Sequence, residues 1–352
     1  MLKKMVPVSI LSLIMIFNCF CNQTEKGIPA DAVIHNLAPS AETVAFGHYY
    51  AKTPPVLTIS SGEYVNVQTL HVSNPRALER AGVPAEDIEA ELIDVHENIP
   101  REERGPGGHV LTGPIYIEEA DPGDVLEVRI ISIDLQIPYS INSLSPRGGF
   151  LSGEFDRSKT KIIPLDEKTM TGEFDEGIII PLKPFFGSMG VAPPEDAGKW
   201  NSSPPWIHGG NIDCKELVEG TSLFLPVHVK GALFQIGDGH AAQGNGEVCI
   251  TALETSLKGT LQFIVHKDKS IEWPRAETDT HFLTFGMDEN LTEATKIAVR
   301  EMVKYLSEEK GMSRDDAYML TSIAVDVNIT QLVDGKKGVH AMLPKEIFVG
   351  TK

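Results

Sequence analysis

The chain has 352 residues, of which 41% are hydrophobic and 23% charged, a composition typical of an ordinary globular protein. This length exceeds what one compact core usually holds, so we expect two packed subdomains. The formal net charge of −18, with no stripe of Lys and Arg, argues against a nucleic-acid partner, because phosphate binding needs clustered positive charge.

The N-terminal segment, residues 1–21, has the features of a signal peptide. Two lysines precede an apolar run over residues 5–17, which is too short to span a bilayer as a helix. A cysteine directly after such a run resembles a bacterial lipobox, so we predict acylation of Cys19, with Cys21 as the alternative. This pattern predicts export to the cell envelope and attachment to the membrane through lipid alone.

The rest of the chain divides into three parts by pattern. Residues 22–40 are polar, contain two prolines and predict a tether. Residues 41–270 predict a β-rich body, and residues 271–352 predict an α+β portion packed on it. Within the body, the charged and helix-tolerant segment 75–104 indicates an insertion over the sheet.

Strands in the body are predicted by runs that alternate apolar and polar residues or are mainly apolar. A Pro-Gly turn at residues 121–124 separates two of them. The recurrence of Pro and Gly from residue 181 to residue 210 predicts a long loop. Other predicted strands cover residues 56–59, 64–70, 162–164, 178–181, 222–228, 248–254 and 259–265.

The last eighty residues change to a helical spacing. Apolar residues in 292–306 predict one helix, and Ser313 with Asp316 three positions later predicts the start of a second helix over 315–325. Residues 331–343 return to strand around an Asp-Gly turn. The predicted fold class is therefore mainly β, with a sandwich-like body and a C-terminal α+β portion.

Cys214 and Cys249 are the cysteines of the predicted body. An exported protein could pair them in a disulfide. However, Cys249 lies in an apolar strand pattern and Cys214 directly follows a suspected metal ligand. We therefore expect two free thiols, with the disulfide as the alternative.

Three short clusters carry residues suited to chemistry. The densest is the glycine-rich segment 237–247, predicted as a loop between two strands, in which Asp, His and Glu offer the carboxylate and imidazole groups that suit zinc or a similar divalent ion. The others are 208–213, with Asn211 and Asp213, and 107–114, with His109. Taken singly, each also fits an ordinary polar turn or an incidental histidine.

The order of these clusters is more informative than any one of them. The stretches GHVLTGPIYIEEADPGDVLEV, HGGNIDCKELVEGTSLFLPVHVKGALFQIGDGHAAQGNGEV and AYMLTSIAVDVNITQLVDGKKGV resemble the acetamidase/formamidase family, in the same order. The resemblance implies hydrolysis of the carbon–nitrogen bond of a small non-peptide, usually linear, amide such as formamide or acetamide. It also implies a metal ion and a mostly β fold with an α+β portion.

The family motifs place the candidate metal ligands and substrate contacts. From side-chain chemistry we predict that the metal is bound by Asp213, Asp238, His240 and His109. Zinc is the expected ion, with calcium as the alternative. Two glycines in the matching stretches, Gly210 and Gly113, are assigned to substrate binding.

Two further residues are assigned to the reaction itself. Glu247 is the predicted general base and acid, which takes a proton from water and delivers it to the departing nitrogen. Asn211 is predicted to orient the substrate or to donate to the developing oxyanion. The sequence has no Gly-x-Ser-x-Gly elbow, which disfavours a serine nucleophile.

Two other functions remain open at this point. One is hydrolysis of a cyclic amide such as a γ-lactam. The other is a lipid-anchored β-sandwich that binds a ligand without catalysis, although the joint presence of Asp213, Asp238, His240 and Glu247 speaks against it. A homo-oligomer is also a possible assembly.

Overall fold

The computed structural model describes residues 27–350. The predicted signal peptide and the candidate lipidation sites Cys19 and Cys21 lie outside the described residues. The described residues from Val33 onward form one compact unit, and the fold below is that of this unit. None of the helices within residues 27–350 combines the length and the apolar character needed to cross a membrane.

Strands make up most of the regular structure, which confirms the predicted mainly β class. In chain order they are β1 (Ile34–Leu37), β2 (Val44–Phe46), β3 (His48–Tyr49), β4 (Leu57–Ile59), β5 (Tyr64–Gln68), β6 (Val110–Ile117), β7 (Val125–Leu135), β8 (Tyr139–Leu144), β9 (Lys159–Asp166), β10 (Thr171–Asp175), β11 (Ile178–Pro181), β12 (Phe185–Gly190), β13 (Trp200–Asn201), β14 (Gly209–Asn211), β15 (Ser222–Pro226), β16 (Phe234–His240), β17 (Glu254–Thr255), β18 (Leu257–His266), β19 (Arg275–Glu277), β20 (His281–Asp288), β21 (Asp326–Gln331) and β22 (Lys337–Pro344).

The helices lie in two places along the chain. The α-helices are α1 (Pro75–Ala81), α2 (Ala90–Asn98), α3 (Leu291–Lys310) and α4 (Arg314–Ala324). Short 3₁₀ turns cover Ala85–Asp87, Glu195–Ala197 and Lys345–Ile347.

Two large sheets organise the described chain. The first has the order β1-β5-β18-β7-β15-β19-β20-β22-β21, so strands of the predicted body and of the predicted C-terminal portion share one sheet. The second has the order β11-β10-β9-β8-β17-β16-β12-β14, with β2, β4 and β6 attached beside β16. A two-stranded ribbon joins β3 and β13.

The main core lies between these sheets. Phe234 of β16 packs edge-to-face on Phe263 of β18, with ring centroids 5.1 Å apart, and both rings are fully buried. Apolar side chains of β6, β7 and β15 complete the same core. Because strand side chains alternate between faces, one face of each sheet supplies this core.

The C-terminal helices begin and end close to the positions that the sequence predicts. Asn290 caps the start of α3, which ends at Gly311 in a left-handed conformation. Ser313 caps α4 by accepting from the backbone N–H of Asp316. Helix α3 packs on β20 at Gly286, where a side chain would meet the helix backbone.

The segment 75–104 contains α1 and α2. Leu78 of α1 and Leu92 and Val95 of α2 are fully buried, in a small core shared with Val110 of β6 and Ile141 of β8. The segment thus covers the second sheet, as the sequence predicts.

Three local predictions need correction. Residues 34–37, inside the predicted tether, form β1 and pair in parallel with β5. The predicted loop 181–210 contains β12 and part of β14; β12 is buried because Phe185, Phe186 and Met189 face apolar neighbours. Of the predicted strand 248–254, only residue 254 is in a strand. The side-chain nitrogen of Asn142 donates to the backbone carbonyl oxygens of residues 251 and 252, which therefore do not pair with a neighbouring strand.

Cys214 and Cys249 are free thiols, which confirms the preferred expectation. Cys214 is fully buried in the main core, and burial raises the pKa of its thiol to about 12. That thiol stays protonated near neutral pH, which makes it a poor nucleophile.

Two fully buried histidines predict how stability changes with pH. Burial lowers the pKa of His340, in β22, to about 4 and that of His208, before β14, to about 3. In the unfolded chain both titrate near the ordinary value of about 6.5. Their contribution to stability is therefore present above about pH 6.5 and is lost as the pH falls toward 4, at about 1.4 kcal/mol for each pKa unit.

Urea denaturation across this pH range tests the prediction with His340→Gln. Glutamine does not titrate and still offers a hydrogen bond to Thr330, whose Oγ1 lies 2.8 Å from His340 Nδ1. We expect the variant to lose less stability than the parent protein between about pH 6.5 and 4. The comparison at about pH 7.5, where both side chains are neutral, is the control. An equal loss in both proteins would contradict the prediction.

Candidate active site

Ionisable side chains from distant parts of the chain meet in one buried pocket at the centre of the second sheet. We call them the carboxylate–histidine cluster; its members are His109, Asp213, Asp238, His240, Glu247, Glu254 and Asp334. It unites all four predicted metal ligands with the predicted base. Five carboxylates and two imidazoles that are shielded from solvent need a positive charge to compensate the negative charge of the carboxylates.

Strand β16 supplies the centre of the cluster. Asp238 and His240 are two positions apart, so their side chains project from the same face of the strand. Glu254 of β17 lies directly opposite His240 in the ladder. His240 Nε2 lies 3.3 Å from Asp238 Oδ2 and 3.3 Å from Glu254 Oε2.

The glycines of the segment 237–247 have a different role from the loop that the sequence predicts. Residues 237–240 belong to the buried strand β16 and not to a loop. A Cβ on Gly237 would lie 2.5 Å from the Val110 carbonyl oxygen, and one on Gly239 would lie 2.7 Å from that of Thr255. Glycine is therefore needed for close approach of neighbouring strands.

Gln243 fixes the orientation of the His240 ring. Its amide nitrogen donates to the carbonyl oxygen of Asp213 at 2.8 Å, so its Oε1, 2.9 Å from His240 Nδ1, must accept from that nitrogen. Nδ1 therefore carries a proton, and Nε2, the nitrogen that faces the carboxylates, is the one available to a metal ion. Such an arrangement is typical of a histidine whose other nitrogen binds a metal.

Asp213 follows β14 and is held by its neighbours. Its backbone N–H donates to the carbonyl oxygen of Gly187 at 3.0 Å, and Asn211 Nδ2 donates to Asp213 Oδ2 at 2.7 Å. The second carboxylate oxygen, Oδ1, is buried without a hydrogen-bond partner. Asn211 therefore orients Asp213, and one oxygen of that carboxylate faces the cluster unpaired.

Glu247 reaches the cluster from a loop that is fastened to the C-terminal hairpin. The backbone N–H of Gly246 donates to Thr330 O at 2.9 Å, and Leu332 N–H donates to Gly246 O at 3.1 Å. The turn after these residues carries Asp334 into the same pocket, where its Oδ2 is buried without a partner.

The backbone is strained where the carboxylates are held. Among the described residues, seven that are not glycine have positive φ, and three of them are Asp213 (53°), Asp238 (58°) and Glu247 (43°). A left-handed backbone is unfavourable for a residue with a side chain and persists where the surrounding structure enforces it. Strain of this kind is concentrated at functional sites, which supports a functional role for these carboxylates.

Gly187 of β12 makes room for the cluster. A Cβ at this position would lie 2.6 Å from Asp213 Oδ1, 2.6 Å from Asp238 Oδ2 and 2.9 Å from His240 Cε1. Even an alanine would therefore displace three members of the cluster. The space beside this glycine is reserved for their polar atoms.

Burial makes four of the five carboxylates of the cluster harder to ionise, whereas burial of the fifth, Asp238, is outweighed by His240 and His109, which lower its pKa. Burial raises the pKa values of Asp213 and Glu247 well above their ordinary range. Burial also raises the pKa of Asp334, to about 6. For His240, burial opposes the charged form, but Glu254 and Asp238 outweigh it and raise the pKa of the imidazole.

These observations fit a divalent cation. One donor atom from each of Asp213, His240 and Glu247 lies within 4.8 Å of the other two, and the same holds for the set in which Asp238 and Glu254 join His240. A cation would satisfy the unpaired oxygens and offset the repulsion among carboxylates.

The remaining predicted residues lie at different distances from this centre. His109 stands at the edge, with Nε2 3.9 Å from Asp238 Oδ2 and Nδ1 2.9 Å from Ser202 Oγ. A Cβ on Gly210 would meet the rings of His208 and Tyr49. Gly113 packs on the backbone of Phe234 in β16, which is a contact within the sheet and not with the cluster.

Sequence reasoning missed Glu254, Asp334 and Gly187. Glu254 lies at the end of an apolar run, and a carboxylate in a segment otherwise suited to burial is a signal that could have indicated a functional residue. Asp334 reads as an ordinary residue of an Asp-Gly turn, and Gly187 carries no functional group. Only the tertiary arrangement places these three in the cluster.

Comparison with known protein families and sequences finds matches along most of the chain. A model described as the acetamidase/formamidase family matches residues 37–203 and 197–349. A formamidase of Methylophilus methylotrophus is 28% identical, and the match covers 40% of this chain and 47% of that protein. An acetamidase of Mycolicibacterium smegmatis is 27% identical, over 40% and 49%. The matches thus span about half the length of these curated relatives.

Solved structures extend the likeness to nearly the whole fold. A predicted acetamidase/formamidase from Thermoanaerobacter tengcongensis superposes with a TM-score of 0.77 at 28% identity, covering 90% of this chain and 97% of that one. An acetamidase from Bacillus halodurans gives 0.75 at 30%, covering 90% and 100%. A γ-lactamase from Delftia acidovorans, at 0.55 and 21%, covering 88% and 90%, shares the fold alone.

Proposed function

Because this chain belongs to the acetamidase/formamidase family, we propose that it hydrolyses the carbon–nitrogen bond of a linear amide at a metal-assisted site formed by the carboxylate–histidine cluster. The observation that carries the proposal is the burial of five carboxylates around His240, with unpaired donor atoms directed at one another. A binding protein without catalysis has no need for so costly an arrangement.

Hydrolysis of an amide needs water activation, carbonyl polarisation and a proton for the leaving nitrogen. In this proposal Glu247 takes a proton from water, the water oxygen bonds to the carbonyl carbon, and the carbon–nitrogen bond breaks. Glu247 returns the proton to the nitrogen, so that ammonia and a carboxylic acid are released, and the acid then gives its proton to ammonia or to water. The raised pKa that burial gives Glu247 suits a group that must both accept and release a proton.

The other cluster residues have supporting roles. Asp238, His240 and Glu254 would hold the cation, which leaves Glu247 free for proton transfer. When bound, the ion would act as a Lewis acid toward the amide carbonyl. Asn211 already donates to Asp213, so we assign it to positioning that carboxylate instead of contacting the oxyanion.

Metal analysis gives a direct prediction. We expect purified full-length protein to retain about one divalent ion per chain after dialysis, with zinc the expected metal. Removing it with a chelator should lower Tm, because an ion that binds only the folded state stabilises it. Mass spectrometry of the elements and thermal unfolding measure the two effects.

Asp238→Asn provides the matching variant, since it keeps the shape of the side chain and removes its charge. We expect it to lose the ion. Asp134→Asn, at an exposed position of β7, should retain the ion and serves as the control. A parent protein without bound metal, whose Tm does not respond to a chelator, would contradict metal assistance.

The reaction is tested by ammonia release from formamide, acetamide, propionamide and a γ-lactam, with and without chelator. Chelator-sensitive release from the linear amides is the expected result. Release that persists without metal would overturn the metal-assisted mechanism and keep the reaction. Hydrolysis of the lactam alone would favour a cyclic substrate, and no release from any amide by folded, metal-loaded protein would overturn the proposed function.

The cellular location is a separate proposal that rests on the sequence of the N-terminal segment. We propose export and lipid attachment through Cys19 at the cell envelope. Labelling of cells with a radioactive fatty acid, with Cys19→Ser and Cys21→Ser as paired variants, tests it. If both variants keep the label, the proposal is overturned.

A further inference from the structure

A cavity of about 460 Å³ opens beside Glu247. It lies between the β10–β11 hairpin and the chain segment 241–253, and its lining is mainly apolar. We propose that this cavity binds the acyl chain of the substrate, so that the preferred amide carries an apolar acyl group well beyond formamide or acetamide in size. This inference rests on the proposed amidase function and deepens it.

The cavity borders the carboxylate–histidine cluster at Glu247. Glu247, the proposed base, lines it, and so does Gln243, which orients His240 through Nδ1 and contacts the Asp213 carbonyl. An amide whose carbonyl lies at the cluster therefore extends its acyl group into this space. Its reacting atoms and its chain would be positioned by the same segment of the protein.

The walls are suited to hydrocarbon. Phe174 and Ile180 come from the hairpin, and Val248 and Leu253 come from the opposite segment. Asn142 also lines the cavity, but its side-chain nitrogen already donates to the carbonyl oxygens of residues 251 and 252, at 2.9 and 3.0 Å. A polar group on the ligand would find that donor already engaged, whereas a methylene chain loses nothing there.

The size of the cavity also argues against a very small substrate. Cavities of about 300–1,000 Å³ are typical of sites for ligands much larger than formamide, whose heavy atoms are one carbon, one oxygen and one nitrogen. A small amide would leave most of the apolar wall exposed to water. Filling the space with a chain would release that water and add binding energy.

The apolar surface continues at the mouth. Val248 is 58% exposed, and its carbonyl oxygen accepts from the backbone N–H of Phe150, whose side chain is 56% exposed. Ile250, 38% exposed, lies against Gly148 of the same loop. Exposed apolar side chains at the rim of a pocket are typical of a binding site.

A series of straight-chain primary amides from formamide to octanamide tests the proposal on the full-length protein. We expect kcat/KM to rise by about fourfold for each added methylene until the cavity is filled, since burying one methylene is worth about 0.8 kcal/mol. A flat or falling series, with acetamide hydrolysed, would overturn this inference and leave the amidase function standing. If no amide is hydrolysed, both fail.

A pair of variants on β11 locates the effect. Ile180 lines the cavity, whereas its neighbour Ile179 does not and is 54% exposed. We expect Ile180→Trp to lower kcat/KM for hexanamide at least about tenfold more than for acetamide, and Ile179→Trp to leave that ratio unchanged. Equal losses on both amides in Ile180→Trp would overturn the placement of the chain. The amide series on the parent protein decides the question should that variant not fold.

Discussion

Glu247→Gln is expected to lower kcat for the preferred amide by about 10²–10⁴-fold, the usual contribution of a positioned acid–base group. Glutamine keeps the length and hydrogen-bonding capacity of the side chain but takes no proton from water. Ammonia release measures the rate. Because Asp238, His240 and Glu254 are assigned to the ion, we expect the metal content of the variant to match that of the parent protein.

Glu289→Gln, at an exposed position after β20, is the matched control and should keep full activity. A rate in Glu247→Gln within about threefold of the parent, far smaller than the loss of a general base, would remove Glu247 from the reaction. Loss of the metal together with the rate would instead identify Glu247 as a ligand, in line with its place beside Asp213 and His240.

The second large effect is expected from the smallest substitution at the site, Gly187→Ala. The added methyl group would overlap the oxygens of Asp213 and Asp238. Asp238 is held in β16, which pairs with β12, and Asp213 is held by its backbone bond to Gly187 and by Asn211. We expect a loss of about a hundredfold in kcat/KM, as is typical when reacting groups move by about 1 Å. Metal content should fall with it.

Gly108→Ala is the control for this substitution, because a Cβ at Gly108 meets nothing within 4 Å. It should retain both activity and metal. Circular dichroism of Gly187→Ala separates a local effect from unfolding. Normal activity in folded Gly187→Ala would show that the reacting geometry does not depend on the space beside this glycine.

The parts of the fold that the sequence predicts well are those with local signals. Helices α3 and α4 follow from apolar spacing and from the cap at Ser313, and the turn at residues 121–124 between β6 and β7 follows from its Pro and Gly. Residues 237–240 of β16 are predicted as a loop because the segment 237–247 contains four glycines. Glycine in this strand serves close packing, which only the neighbouring strands reveal.

The candidate site is predicted in part for a similar reason. Asp213, Asp238, His240 and Glu247 lie in short motifs, and the structure brings them together. Glu254 joins them through pairing between β16 and β17, and Asp334 joins through a turn far along the chain. The left-handed backbone at Asp213, Asp238 and Glu247 cannot be predicted from the sequence either, because an Asp or Glu residue does not indicate the φ that its surroundings impose.

The tie between the Glu247 loop and the C-terminal hairpin bears on the order of events during synthesis. His109 and Asp334 stand at opposite ends of the cluster in sequence, and the bonds from Gly246 to Thr330 and Leu332 must form before the Glu247 loop is secured. Contacts so distant along the chain form late in folding. The ribosome must therefore have made nearly the entire polypeptide before the Glu247 loop is secured and Asp334 reaches the cluster. The complete cluster is thus a late product of folding and not a nucleus around which the chain folds.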